Sequence, residues 1–340
     1  MTNLEPRPVA QECVAGGAAP DGPLEHIEPR DVPLGGPRAM TVRRTLPTRE
    51  RSLIGPFCFL DHYGPDDVAA TGGMDVAPHP HTGLQTVTWL FEGEVLHQDA
   101  LGAVQPIRPG QLNLMTAGHG ISHSEESITS PVLHGVQLWT ALPDTGRHGD
   151  AAFEHVAEVP VVERDGMRLQ VFMGSLDGVS SPARAYSPLV AAQVDLEPGA
   201  EVTVPLDPAF EHGILLDAGT LTVDGEDLRT AWLSYLSPGR TGTTLRAGTD
   251  GPVRAVLFGG APFEEHILMW WNFVGRGHEE VVTARAQWQA VVAHLTAAPG
   301  TEPDDATRAA LLRFGRVDGY AGGPLPAPEL PNVTLRPRRR

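Results

Sequence analysis

His79 and His81 are separated by one residue, and so are His123 and Glu125. In an extended strand the side chains alternate between faces, so residues i and i+2 point the same way. With each pair on a strand and the two strands neighbours, three imidazoles and one carboxylate enter a common space. Between the pairs, Leu84 to Phe91 alternates in hydrophobicity and Glu92-Gly93-Glu94 reads as a turn. Val95 to His97 then returns, and Pro109-Gly110 turns the chain again before Leu112 to Met115. Strand, turn, strand, turn, strand is the connection a small antiparallel barrel needs to bring its ends together. Three nitrogens and one hard oxygen suit a first-row divalent ion such as iron, manganese, nickel, copper or zinc. A single His-x-His in a chain with 14 His is more often a strand end hydrogen-bonded to backbone. Two pairs in this frame predict a metal centre.

The composition agrees with short strands. The chain has 38 Gly and 32 Pro among 340 residues, with 41% hydrophobic residues, which favours many turns around an ordinary core. Its length predicts about two domains. Lys plus Arg is 25 against 42 Asp plus Glu, a net charge of -17. That opposes phosphate-backbone binding, so no direct nucleic-acid contact is expected, and the acidity serves solubility. Two cysteines, Cys13 and Cys58, make no disulfide framework and fit a reducing compartment. Residues 1–9 lack the apolar core of a secretion signal, and no apolar run reaches bilayer length. The expectation is a cytoplasmic protein with no membrane contact.

Along the chain, residues 1–35 read as a loose, Gly- and Pro-rich arm. Residues 36–145 form the first barrel and carry the metal site. Asp61-His62, at the end of an apolar run, are candidates to hold the outer nitrogens of metal-bound imidazoles, or simply to cap a strand. His134 shares a face with Val136 and Leu138 and reads as a satisfied core residue. His97 reads the same way, though near the pocket. His119 sits between two glycines just before the second ligand pair, a flexible tip with a candidate role in gating or substrate contact. Residues 146–187 read as a connector with some strand character. Residues 188–277 repeat the first barrel's turns, with Leu236-Ser237-Pro238-Gly239 echoing Ile107-Arg108-Pro109-Gly110. Only His212 remains of the ligands, so the second barrel is expected to lack metal. Trp270, Trp271 and Phe273 read as packing where the second barrel meets the first. Residues 278–297 predict a helix, from Glu279 to Leu295, with acidic residues in its first turn. The 298–340 extension holds a shorter helical pattern at Asp305 to Phe314 and ends in Arg336-Pro337-Arg338-Arg339-Arg340.

At these residues the chain resembles the pirin family of the cupin superfamily. The matching blocks are Phe59-Leu60-Asp61-His62, Pro78-His79-Pro80-His81, Thr86 to Gly93, Arg108-Pro109-Gly110, Met115-Thr116-Ala117-Gly118, His123-Ser124-Glu125 and Trp270-Trp271-Asn272-Phe273-Val274. The resemblance covers roughly residues 40 to 295. It implies an all-β fold of two packed cupin (jelly-roll) barrels, with one mononuclear metal in the N-terminal barrel and a helix crossing back onto the other domain. The family's three-His, one-Glu ligand set falls on His79, His81, His123 and Glu125. Gln85 stands where cupins usually carry Glu. Many pirins have Arg where this chain has His119, and often where it has Thr82.

Four protein ligands on an octahedral ion leave two positions open, for O2 and for a substrate oxygen. Lewis acidity at the ion eases loss of an enediol or phenol proton, and Glu125 is the natural base for it. Some pirins are quercetin 2,3-dioxygenases, so the resemblance implies an oxidoreductase that cleaves a flavonol with O2. It favours Fe(II), with Ni, Mn, Cu or Zn able to take the same donors. The alternative is a regulatory pirin, in which the metal or its redox state governs binding to a transcription factor or metabolic enzyme as protein partner. A monomer is the default expectation.

Overall fold

The computed structural model describes residues 5, 8–13, 22–34, 40–128 and 130–335. Period-two alternation divides its long strands between two cores. In Leu84–Glu92, Val87, Trp89 and Phe91 join one core while Leu90 joins another. The neighbouring strand Val132–Ala141 repeats the division, with Val136 and Leu138 in the first core and Leu133 in the second. Strands buried on both faces must lie between two layers.

Seven strands form the larger sheet of the first barrel. Their spatial order is Ala152–Val156, Leu112–Thr116, Leu84–Glu92, Val132–Ala141, Phe57–Asp67, Met40–Leu46 and Arg30–Leu34. A four-stranded sheet, ordered Asp75–His81, Ile121–Ser127, Val95–Asp99 and Val104–Ile107, packs on its inner face through Val76, Val95 and Ile107. The second barrel repeats the plan. Its larger sheet runs Val161–Arg164, Met167–Leu176, Leu189–Leu196, Val253–Gly260, Glu211–Ala218, Leu233–Leu236 and Glu25–Ile27, with Val179–Ser180 on the side. Glu201–Pro205, Gly242–Ala247, Leu221–Val223 and Glu226–Asp227 cover it. The two larger sheets face each other, and Val87, Trp89, Phe172, Leu215 and Phe258 share the core between them. Trp89 stacks on Phe172 at 4.5 Å, and its indole N–H donates to Gln193 Oε1 at 2.8 Å. The expected all-β, two-barrel architecture is present.

The terminal segments cross between the barrels. Glu25–Ile27 pairs with Leu233–Leu236 in the second barrel's sheet, whereas Arg30–Leu34 pairs with Met40–Leu46 in the first. The expected loose arm over 1–35 is therefore corrected for these residues. Their isolated strand signal is too short to read, and the pairing partners that stabilise them are remote in sequence. Ala152–Val156, inside the expected connector, extends the first barrel's sheet.

At the other end, helix His278–Leu295 buries Val281, Ala284, Trp288 and Val291, a helical stripe. Helix Asp305–Phe314 starts at Asp304, whose side chain accepts from Thr307 N. The stripe of the longer helix packs with Ala310 and Phe314 and with Trp270, Trp271 and Phe273. These aromatics thus lie under the C-terminal helices rather than between the barrels. Their hairpin, Ile267–Trp270 and Phe273–Gly275, turns at Trp271 with φ 53° and touches the first barrel where Thr82 bridges Phe273. No helix among the described residues is long and apolar enough to cross a membrane. The terminal run 336–340 lies outside the described residues.

Candidate metal centre

Strand Asp75–His81 is an edge of the four-stranded sheet, which is why it accepts Pro78 and Pro80: an edge position spares the ladder donors that proline lacks. The prolines alternate with His79 and His81, so the imidazoles share the opposite face. Antiparallel pairing with Ile121–Ser127 sets His123 opposite His79 and Ile121 opposite His81. A register irregularity between His123 and Glu125 then moves Glu125 opposite Val76. The ring centroids of His79 and His123 lie 4.4 Å apart, and each is 5.0 Å from that of His81.

All three imidazoles are fully buried. Their donor nitrogens fall within 4.8 Å of one another. His79 Nδ1 lies 2.8 Å from Ala77 O, and the Nε2 atoms of His79, His81 and His123 have no hydrogen-bond partner. Three buried imidazole nitrogens left unpaired and aimed together are costly without a ligand. Burial pushes the His79 imidazole down to about 3, and pushes His81 and His123 well below the usual histidine range. The rings are therefore neutral at neutral pH, the form that binds metal. The residues fit a divalent ion.

Glu125 is also buried, and its carboxylate forms an overlapping group with His123 and His97, again within 4.8 Å. His97 lies opposite Glu125 on strand Val95–Asp99, and Asp99 lies opposite His123. His97 Nδ1 is 3.3 Å from His123 Nδ1, and its Nε2 is 3.1 Å from Asp99 Oδ2. Sequence alone places His97 in the core, near the pocket, and does not single out Asp99. The spacing rule that found the other pairs applies here too, since residues 97 and 99 are also two apart.

The remaining candidates sit elsewhere. Asp61 takes both Nε and Nη2 of buried Arg44, at 2.6 and 2.8 Å, and so supports none of the ligand rings. His62 Nε2 and His134 Nε2 both lie 2.7 Å from Asp217 Oδ1 of the second barrel. Asp217 Oδ2 accepts from Arg254 Nε at 2.6 Å. Both histidines thus join the barrels, and His134 is a satisfied buried group. The tip at His119 is clamped rather than loose. Its N–H donates to Gly149 O, its Nδ1 lies 3.0 Å from the same oxygen, and its own carbonyl accepts from Arg313 Nε at 2.8 Å. His212 is buried in the second barrel with neither ring nitrogen hydrogen-bonded.

Beside the centre lies a cavity of about 560 Å³. Thr82, Gly118, His119, Arg147, Phe273 and Arg313 are among its lining residues. Thr82 follows His81 directly, but none of the four candidate ligands lines the cavity.

The sequence model of the family described as Pirin matches residues 39–140, and that of the Pirin C-terminal cupin domain matches residues 191–293. The chain belongs to the pirin family. This pirin is 43% identical to a Pseudomonas aeruginosa protein named "Putative quercetin 2,3-dioxygenase", over 91% of each chain. A "Pirin-like protein" of Caulobacter vibrioides is 37% identical, over 73% of this chain and 88% of that one. The crystal structure of quercetin 2,3-dioxygenase from Acinetobacter baumannii superposes with a TM-score of 0.81 at 38% identity, covering 92% of this pirin and 98% of that chain. The two barrels are thus cupin domains.

Proposed function

We propose that this pirin is a metal-dependent dioxygenase that opens the ring of quercetin or a related flavonol or enediol with O2. The observation that carries the reading is the convergence of three unpaired Nε2 atoms, from His79, His81 and His123, in a fully buried space. The related protein of Pseudomonas aeruginosa and the structure from Acinetobacter baumannii support the reaction class by their names. We assign the site to the first barrel, residues 36–145, and give residues 188–277 a supporting role. His79, His81 and His123 hold the ion through Nε2, and Glu125 is the fourth ligand. A bound divalent ion, Fe(II) first and Ni, Mn, Cu or Zn in the same donors, supplies Lewis acidity toward a substrate hydroxyl and access for O2. Glu125 would act as the base for the hydroxyl proton. Burial of the imidazoles excludes bulk water and fixes their orientation. The cavity at Thr82 and His119 is the approach we assign to the small-molecule substrate.

Carbon monoxide release from quercetin in air tests the reading, with Fe(II)-loaded protein and the His123→Ala variant side by side. Release in the parent and loss of at least 100-fold in the variant is the expected result, since one of three imidazole donors is gone. Equal release from both sinks the mechanism. No release from a protein that holds metal turns attention to the regulatory alternative and its protein partner.

A further inference from the structure

Strand Val95–Asp99 carries a second His-x-acid pair that the reaction does not use. His97 is 3% exposed and Asp99 is 3% exposed. Phe153 stacks on the His97 ring at 4.4 Å and 13° and fixes its plane. Both nitrogens of His97 are engaged: Nδ1 faces His123 Nδ1 at 3.3 Å, and Nε2 faces Asp99 Oδ2 at 3.1 Å. The other oxygen of Asp99, Oδ1, accepts from Leu101 N at 2.9 Å and Ala103 N at 3.1 Å.

Resting on the metal reading above, we infer that Asp99 and His97 form a positioning relay that fixes the tautomer of His123. The hydrogens can be placed from one end. Two backbone donors hold Oδ1, so Oδ2 is left to accept the proton on His97 Nε2. With its proton there, His97 Nδ1 is a bare acceptor. It takes a hydrogen from His123 Nδ1, which strips His123 Nε2 of hydrogen and leaves a lone pair facing His79 and His81. The opposite assignment sets a carboxylate oxygen against a bare ring nitrogen at Asp99. It also puts a hydrogen on His123 Nε2, into the space a bound ion would take. His97 is grouped with His123 and Glu125 by distance, yet it is not a ligand: its near nitrogen meets the Nδ1 side of His123, away from the converging Nε2 atoms. An anchored outer partner of this kind typically governs metal affinity by 10- to 100-fold.

Asp99→Asn is the sharp variant. The amide oxygen keeps the two backbone donors, so the NH2 group faces His97 Nε2 and reverses the chain of hydrogens. His97→Phe keeps the stack on Phe153 and removes the acceptor. Two measurements test the relay. Long-range 1H–15N spectra of histidine-labelled, metal-free protein should show His123 protonated on Nδ1 in the parent and on Nε2 in Asp99→Asn. Titration with Co(II) should show roughly 10- to 100-fold weaker binding in both variants, with an altered d–d spectrum. His123 protonated on Nε2 in the parent overturns the relay, as do parental Co(II) affinity and spectrum in folded variants. If the parent binds no Co(II), the metal reading falls, and the tautomer measurement still judges the relay.

Discussion

His79, His81 and His123 each turn an unpaired Nε2 into one shared space, and a strand position alone does not secure that. His212 shows the contrast: it is equally buried in the second barrel, but no other imidazole shares its space in any group of the described residues. Burial pushes its imidazole down to about 4. The folded protein therefore refuses a proton that the unfolded chain accepts below about pH 6.5, so stability falls as pH drops through that window and the loss levels off near 4. The ceiling is about 3 kcal/mol. Denaturation midpoints of His212→Phe against parent from pH 7 to 4 should show a shallower decline in the variant; parallel curves refute the assignment. The convergence of His79, His81 and His123 was legible in the sequence because a period of two needs only local extension. His97 and Asp99 obey the same rule, but their meaning depends on which strand lies next to theirs, and strand order is not local. The clamp on His119 was illegible for the same reason, since Arg313 reaches it from 194 residues away.

Among the elements, the helices are legible in the sequence and the first strands are not. A helix declares itself through its own stripe, and His278–Leu295 and Asp305–Phe314 do so. Strands as short as Glu25–Ile27 draw their stability from a partner, here Leu233–Leu236, that no local pattern names. The C-terminal layer then bears from outside on the sheet that carries His79, His81 and His123. Ser122 Oγ donates to Phe314 O at 2.9 Å, and Leu325 N donates to Pro78 O at 2.8 Å, closing the exposed edge beside the prolines. Trp288 anchors this layer: it is 1% exposed, donates its indole N–H to Leu325 O at 2.8 Å, and meets Phe314 edge-on at 5.7 Å. Trp288→Ala should cost about 3–5 kcal/mol in urea denaturation, from the cavity and the orphaned carbonyl. A loss under about 1 kcal/mol would mean that the layer is not part of the cooperative unit.

At the scale of the whole molecule, the Asp217 carboxylate joins the barrels through His62 and His134. Burial alone would raise the Asp217 carboxyl, but hydrogen bonds from His134 and His62 hold it well below the usual range. A carboxyl depressed in the fold contributes stability above its unfolded value near pH 4, and that contribution is lost as pH falls toward the folded value. Asp217→Ala leaves two imidazoles and Arg254 facing an empty joint, and should cost about 3–5 kcal/mol at pH 7. Parental stability of that variant would show that the apolar contact between the sheets suffices. The termini tie the halves further, because strand Glu25–Ile27 completes the second barrel's sheet and the carboxy-terminal layer covers the first. That exchange has a consequence for how the protein is made. Phe314 leaves the ribosome 192 residues after Ser122, the residue whose hydroxyl it receives. A nascent chain can close the first barrel's sheets long before it can cover the strands that bear His79 and His123. For that interval the strands that bear His79 and His123 stand without the layer that later covers their outer side.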